Sequence, residues 1–144
     1  MAVVVDFAVD FVAGLQRPRV DTRGGFPRMH DTEQNATNKA LVRTAYRNEC
    51  VRRYGAVRAA ARGVPVDVTV QAARPLPESV RPKSMVSEPD THKPDLDNIV
   101  KLVLDALNGY AWHDDAQVIH IDATKFDRTR DSQPWTRVMV AFDC

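Results

Sequence analysis

Little in this chain suits zinc, a disulfide framework or a membrane. It has two cysteines, Cys50 and Cys144, and no Cys-x-x-Cys or Cys/His grouping that would announce a zinc site. Cys50 falls on a predicted helix and Cys144 ends the sequence, so a buried thiol and a frayed terminal one are the plain reading. A structural disulfide does not suit a reducing compartment. No apolar run approaches the ~20 residues needed to cross a bilayer. The opening MAVVVDFAVDFVAG looks briefly like an export signal, but Asp6 and Asp10 interrupt it and no basic residue precedes it. Its Val, Phe and Asp pattern fits a β-strand better. A cytoplasmic protein with no membrane partner is therefore expected. There is no internal repeat, low-complexity tract or linker, and 144 residues suit one domain, 1–144, around one core.

A large net charge is also missing. The total is +1, which by itself does not suggest a nucleic-acid binder. The distribution says more. Residues 15–63 hold eleven Lys or Arg against four Asp or Glu, whereas residues 64–144 hold nine against thirteen. A basic half beside an acidic half is expected where one surface holds phosphates and another a metal ion. A solvated, charge-laced helix gives part of the same asymmetry with no function.

Patterning predicts six elements in the order β-α-β-α-β-β. The first strand, over 3–12, is β-branched and aromatic and alternates poorly, as in a strand buried on both faces. Residues 14–37 form a long basic loop with Arg17, Arg19, Arg23 and Arg28, and loops of that length are usually functional or mobile. A helix follows over 38–62. Val42, Tyr46, Cys50, Tyr54, Val57 and Ala61 make its apolar stripe, Arg43 and Arg47 share the face beside it, and Gly63 caps it; Gly55 weakens its middle. The second strand is Val66 to Ala72. Five prolines in 73–94 exclude a regular element there, leaving a loop with Arg74, Arg81, Lys83 and Lys93. The second helix runs from about Asp95 to Asn108, with Leu96, Ile99, Val103 and Leu107 as its core stripe, widened by Val100 and Leu104, and Asn108-Gly109 as its stop. A strand over 117–126, a polar turn over 127–134 and a last strand over 135–142 complete an α+β fold with a mixed sheet of about four strands and two helices.

The chemistry concentrates in residues 93–115, KPDLDNIVKLVLDALNGYAWHDD. Asp95 and Asp97 stand at the start of the second helix, Lys101 follows one turn later, and Asp114-Asp115 comes just past the helix end. Hard oxygen donors of this kind suit Mg²⁺ or Mn²⁺, and such ions drive phosphodiester hydrolysis. The plain alternatives are real. Asp95 at the N-cap accepts orphan N–H groups, Asp97 suits the positive end of the helix dipole, and Asp97, Lys101 and Asp105 make an ordinary surface ladder. Asp114-Asp115 could be an exposed turn. If the turn folds back, however, Asp115 approaches Asp95 and Asp97, and three clustered carboxylates repel unless a cation sits among them.

The segment KPDLDNIVKLVLDALNGYAWHDDAQVIHIDATKF resembles the signature of the RusA family of Holliday-junction resolvases, closely over about 35 residues. Weaker likeness lies in Arg17-Pro18-Arg19 and the proline-rich loop. The sequence departs from the best-known member of the family by one residue fewer in the turn after the second helix, and it has an unusual tail around Trp135; neither touches the motif. The resemblance implies a small homodimeric, Mg²⁺-dependent endonuclease, with Mn²⁺ able to substitute and no organic cofactor. It implies that Asp95, Asp97 and Asp115 bind metal, that Lys101 is catalytic, and that Asn98, Asp114 and Lys125 support the site. It implies nicks with 5′-phosphate and 3′-hydroxyl ends. His113 and His120 match nothing that the family requires, and a solvent-facing turn suits His113.

The expected substrate is branched DNA, a four-way junction, nicked on opposing strands. A homodimer meets that two-fold geometry. Arg17, Arg19, Arg28, Arg43, Arg47, Arg81 and Lys83 are the candidates for contacts to the DNA backbone. Two rivals stand beside this reading. One is a nuclease for flaps or forks, separable by comparing substrates. The other is a DNA-binding module with a decayed site, which would bind junctions and cut none.

Overall fold

The computed structural model of the chain describes residues 1–17, 19–25 and 28–144, and at 19–21 and 28–30 the backbone alone. Its elements are β1 (Ala2–Val9), β2 (Arg19–Asp21), β3 (Arg28–His30), α1 (Glu33–Tyr54), β4 (Val66–Ala73), β5 (Ser87–Glu88), α2 (Leu96–Leu107), β6 (Val118–Lys125), β7 (Arg128–Thr129) and β8 (Trp135–Asp143). The α+β class and the order of the long elements, β1-α1-β4-α2-β6-β8, match the sequence reading. The four long strands form one mixed sheet in the order β1-β8-β4-β6. β8 is antiparallel to both neighbours, while β4 and β6 run parallel. A parallel pair needs a crossover, and the stretch containing α2 supplies it.

Both helices cover one face of the sheet. Val3, Val5 and Phe7 of β1, Val66, Val68, Val70 and Ala72 of β4, and Val138, Val140 and Phe142 of β8 pack there with Val42, Tyr46 and Cys50 of α1 and Ile99, Val103, Ala106 and Leu107 of α2. Each fully buried aliphatic side chain contributes roughly 1.5–3 kcal/mol. The other face carries Asp6, Asp67, Thr69 and Arg137, none of them buried, and an Asp6–Arg137 ion pair crosses it at 2.6 Å. The first strand is thus covered on one side only, not both: Asp6 and Ala8, on its other side, are not buried.

The first helix is shifted from the predicted 38–62. Thr32 caps its start, its hydroxyl oxygen accepting the Asn35 N–H at 3.0 Å. Gly55, with φ 78°, ends it by donating its N–H to the Val51 carbonyl at 2.9 Å. The stop is therefore Gly55 rather than Gly63, and Val57 and Ala61 lie beyond the helix. The basic loop contains the β2–β3 ribbon, and the proline-rich loop contributes β5, which pairs with β7. No helix among the described residues is long and apolar enough to cross a membrane.

Candidate active site

Helix α2 carries the acidic motif, and its packing explains where the motif points. Ile99, Leu102, Val103, Ala106 and Leu107 are buried. That stripe turns Asp97, Lys101 and Asp105 to solvent on the opposite side. Asp97 pairs with Lys101 at 3.6 Å, with both side chains more than half exposed. Asp105 does not extend the ladder. It pairs instead with Lys39 of α1 at 2.8 Å.

Asp95 occupies the N-cap position, but its carboxylate makes no capping bond. Its oxygen accepts from Lys93 Nζ at 2.8 Å, while its backbone carbonyl accepts the N–H groups of Asn98 and Ile99. The expected N-cap carboxylate bond is absent because Lys93, two residues upstream, takes the side chain outward. A carboxylate free of the helix frame is available to a ligand.

Asp115 lies at the other end of α2. Twelve helical residues at ~1.5 Å rise separate the two ends by about 18 Å. The turn after α2 does not fold back toward Asp95. Trp112 is buried, and its indole N–H donates to Asp115 at 2.8 Å. Asp114 accepts the Ala116 N–H, and Gln117 accepts the N–H groups of both His113 and Asp114, which makes a capping box around a 3-10 turn. The Gln117 amide also donates to the carbonyls of Ala61 and Val64. Asp114 thus shapes the turn that presents Asp115. Among the described residues, no three His, Cys, Asp or Glu side chains stand close enough to hold a metal ion together. Within one chain, Asp95 and Asp97 are neighbours, and Asp115 is apart from them.

Lys125 and Asn98 both meet the start of α2. Lys125 is largely buried and donates to the carbonyls of His92 and Pro94, at 2.6 and 3.1 Å. The backbone carbonyl of Asn98 accepts the Leu15 N–H at 3.0 Å. Gly14 lies so close to that turn that a Cβ there would stand 3.0 Å from the Cβ atoms of both Asn98 and Pro94. His113 is exposed, as expected, and so is His120.

Two residues outside the site predicted from the sequence, Asp90 and Arg74, anchor the segment before Asp95. Asp90, with a side chain only 1% exposed, receives both Nε and Nη2 of Arg74 at 2.8 Å. It also accepts the His92 N–H and lies 3.8 Å from Lys125 Nζ. The Arg74 guanidinium is the main reason that its carboxyl is held down to about 2. A carboxyl depressed on folding stabilises the protein above its ordinary value, and that contribution fades as pH falls toward the folded value. Asp90→Asn should cost about 1–2 kcal/mol at pH 7. The gap between variant and parent in urea unfolding should close as pH drops from about 4 to about 2. A gap independent of pH would contradict this role. Residues 74 and 90 are joined by no local spacing rule. Gln117, by contrast, had a signal: it stands third after Asp114, the spacing of a capping box.

The basic candidates divide. Arg17, Arg47 and Arg81 are exposed. Arg43 donates to the Ala106 carbonyl at 3.4 Å, linking α1 to the end of α2. Lys83 pairs with Glu78 at 3.6 Å. The side chains of Arg19 and Arg28 lie outside the described residues.

Comparison with known proteins adds two findings. A family model described as "Endodeoxyribonuclease RusA" matches residues 11–141. A Bacillus subtilis (strain 168) protein, "Uncharacterized protein YqaN", is 34% identical over 134 residues, covering 86% of this chain and 85% of the relative.

Proposed function

The chain belongs to the endodeoxyribonuclease RusA family, and from that premise we propose that it is a Mg²⁺-dependent resolvase that cuts four-way DNA junctions by paired phosphodiester hydrolysis, acting as a homodimer. The observation that carries the reading is the cluster of exposed, lightly engaged charges at the start of α2: Asp95, Asp97, Lys101 and Lys93. Carboxylates with no structural duty of their own, beside lysines, suit a hard cation and a phosphate.

Asp95 and Asp97 are the right donors for Mg²⁺ or Mn²⁺, but two carboxylates make an incomplete set, and Asp115 of the same chain stands at the far end of α2. The third ligand in this reading is Asp115 of the partner subunit. The sheet edge supports it. Ile121 pairs with Val68 and so points to the face that the helices cover, yet it is 43% exposed, and Ile119 is 69% exposed. Among the described residues, β6 has β4 on one side and no strand on the other. An apolar, open edge of this kind is suited to a partner. Two β6 strands meeting antiparallel about a two-fold axis would set the Asp115 end of one copy against the Lys125 and Asp95 end of the other. Each dimer then has two equivalent sites, as two symmetric nicks require.

In this site Asp95 and Asp97, with the partner's Asp115, hold the cation. When bound, the ion supplies positive charge to the phosphate and makes a water more acidic. Lys101 sits one turn beyond Asp97 and stabilises charge on the phosphate or assists the leaving 3′ oxygen. Lys125, Asp90 and Arg74 hold the segment that leads into Asp95. Asp114 and Trp112 fix Asp115. Arg17, Arg19, Arg28, Arg43, Arg47, Arg81 and Lys83 contribute contacts to the DNA backbone, and among those whose side chains are described Arg17, Arg47 and Arg81 are the most freely presented.

The test is incision of a synthetic four-way junction, with and without Mg²⁺, beside a flap, a fork and a linear duplex of matched sequence. Symmetric paired nicks in the junction, dependent on the ion, are expected. Faster cutting of flaps or forks would reassign the substrate. Tight junction binding without cutting in Mg²⁺ or Mn²⁺ would mean a DNA-binding module.

A further inference from the structure

Beside Asp95 lies a groove of about 560 Å³, within the ~300–1,000 Å³ range of small-molecule sites. Its walls are the strap of residues 11–16, the amides of Gln34 and Asn38 on α1, and Lys93, Pro94 and Asn98 at the start of α2. The strap is fixed along its length. Thr136 Oγ donates to the Phe11 carbonyl at 2.7 Å, and Leu15 donates to Asn98 at 3.0 Å. Buried Asn35 accepts the Gln16 N–H and donates to the Gln16 carbonyl, both at 2.9 Å. With Gly14 packed onto Pro94 and Asn98, the groove is formed before any ligand arrives.

Its chemistry is mixed in a specific way. Phe11, Val12 and Pro94 offer apolar surface. The Asn38 carbonyl oxygen accepts from Gln34 at 3.0 Å, which leaves the Asn38 amide N–H groups and the Gln34 carbonyl oxygen without partners among the described residues. One donor group and one acceptor side by side match the edge of a nucleobase, and Asn and Gln amides make such paired contacts. The ammonium of Lys93 stands at the rim, 2.8 Å from Asp95, where the phosphate next to a bound base would lie.

We propose that this groove takes one unstacked nucleobase of the strand being cut, with Asn38 and Gln34 reading its edge and so setting a sequence preference beside the cleaved phosphate. The idea rests on the resolvase reading for its substrate. Unstacking a base costs a few kcal/mol in a duplex and least where pairing is already disturbed, so a branch point is where such a pocket can be filled. Stacking against an apolar wall offsets part of that cost.

The test uses junctions randomised at the nucleotides flanking the crossover, cut by the full-length protein in Mg²⁺, with the ends sequenced. The unaltered protein should show a base preference at one position beside the cut. Asn38→Ala and Gln34→Ala should each flatten that preference at least about fivefold, the loss of rate falling on junctions that carry the preferred base. Gln34 is exposed, so its variant serves if Asn38→Ala fails to fold. A 2-aminopurine at the preferred position should brighten on binding in Ca²⁺ to the parent and less to either variant. Junction cutting with a preference that both variants keep would overturn the groove's role and leave the resolvase reading standing. No cutting by the parent would overturn both.

Discussion

Asp97→Asn should cut a four-way junction in Mg²⁺ at least about a thousandfold more slowly than the unaltered chain, while still binding it. The change keeps the shape of the side chain and removes its charge, so it tests the carboxylate as a cation ligand. It should not disturb folding. Asp97 is exposed, and its one described side-chain contact is the 3.6 Å pair with Lys101, of a class that contributes about 0–1 kcal/mol. Asp105→Asn is the matched control, eight residues further along the same helix and paired with Lys39. It loses a comparable surface charge and should cut at close to the parent rate. Gel assays of cutting, with binding measured in Ca²⁺, would separate the two variants. Equal cutting by Asp97→Asn and the parent would remove Asp97 from the site.

That the loss should be catalytic follows from what the sequence made legible. The amphipathic pattern of Leu96, Ile99, Val103 and Leu107 fixed α2 to within a residue at each end, because a continuous stripe of large aliphatics leaves one helical face to bury. The same pattern turned Asp97 and Lys101 outward. Strand β4 was equally clear, with Val66, Val68 and Val70 alternating against polar neighbours. α1 was harder. Its true start is a Thr32 cap inside a polar stretch, and its stop is a glycine that read as a flaw in a longer helix. The β2–β3 ribbon is too short to leave a period.

The site was legible in its residues and not in its assembly. The spacing of Asp95, Asp97 and Lys101 is local, so the helix delivers it. The direction of the chain after Gly109 is not local. It depends on Trp112 entering the core and on Gln117 reaching the carbonyls of Ala61 and Val64, more than fifty residues away in sequence. The Arg74–Asp90 pair is hidden for the same reason. Sequence spacing therefore brought Asp115 near Asp95 on paper, and tertiary contacts keep them apart in one chain.

That separation makes a second large effect expected. Asp97→Asn and Asp115→Asn should each be inactive alone, and dimers containing one of each should nick junctions. In such a mixed dimer, one site combines Asp95 and Asp97 from the Asp115→Asn chain with Asp115 from the Asp97→Asn chain, and every ligand is intact. The other site carries both lesions. Random pairing of equal amounts should restore about a quarter of the sites. Because each active dimer has one working site, the product should be single nicks and not paired resolution. Co-expression with two different tags, followed by sequential purification, isolates the mixed dimer and raises the active fraction to about half of all sites. Were each site built within one chain, every site in the mixture would carry a lesion, and the purified mixed dimer would be as inactive as its parents. That result would end the shared-site reading, and an active Asp115→Asn protein would remove Asp115 from the ligand set altogether.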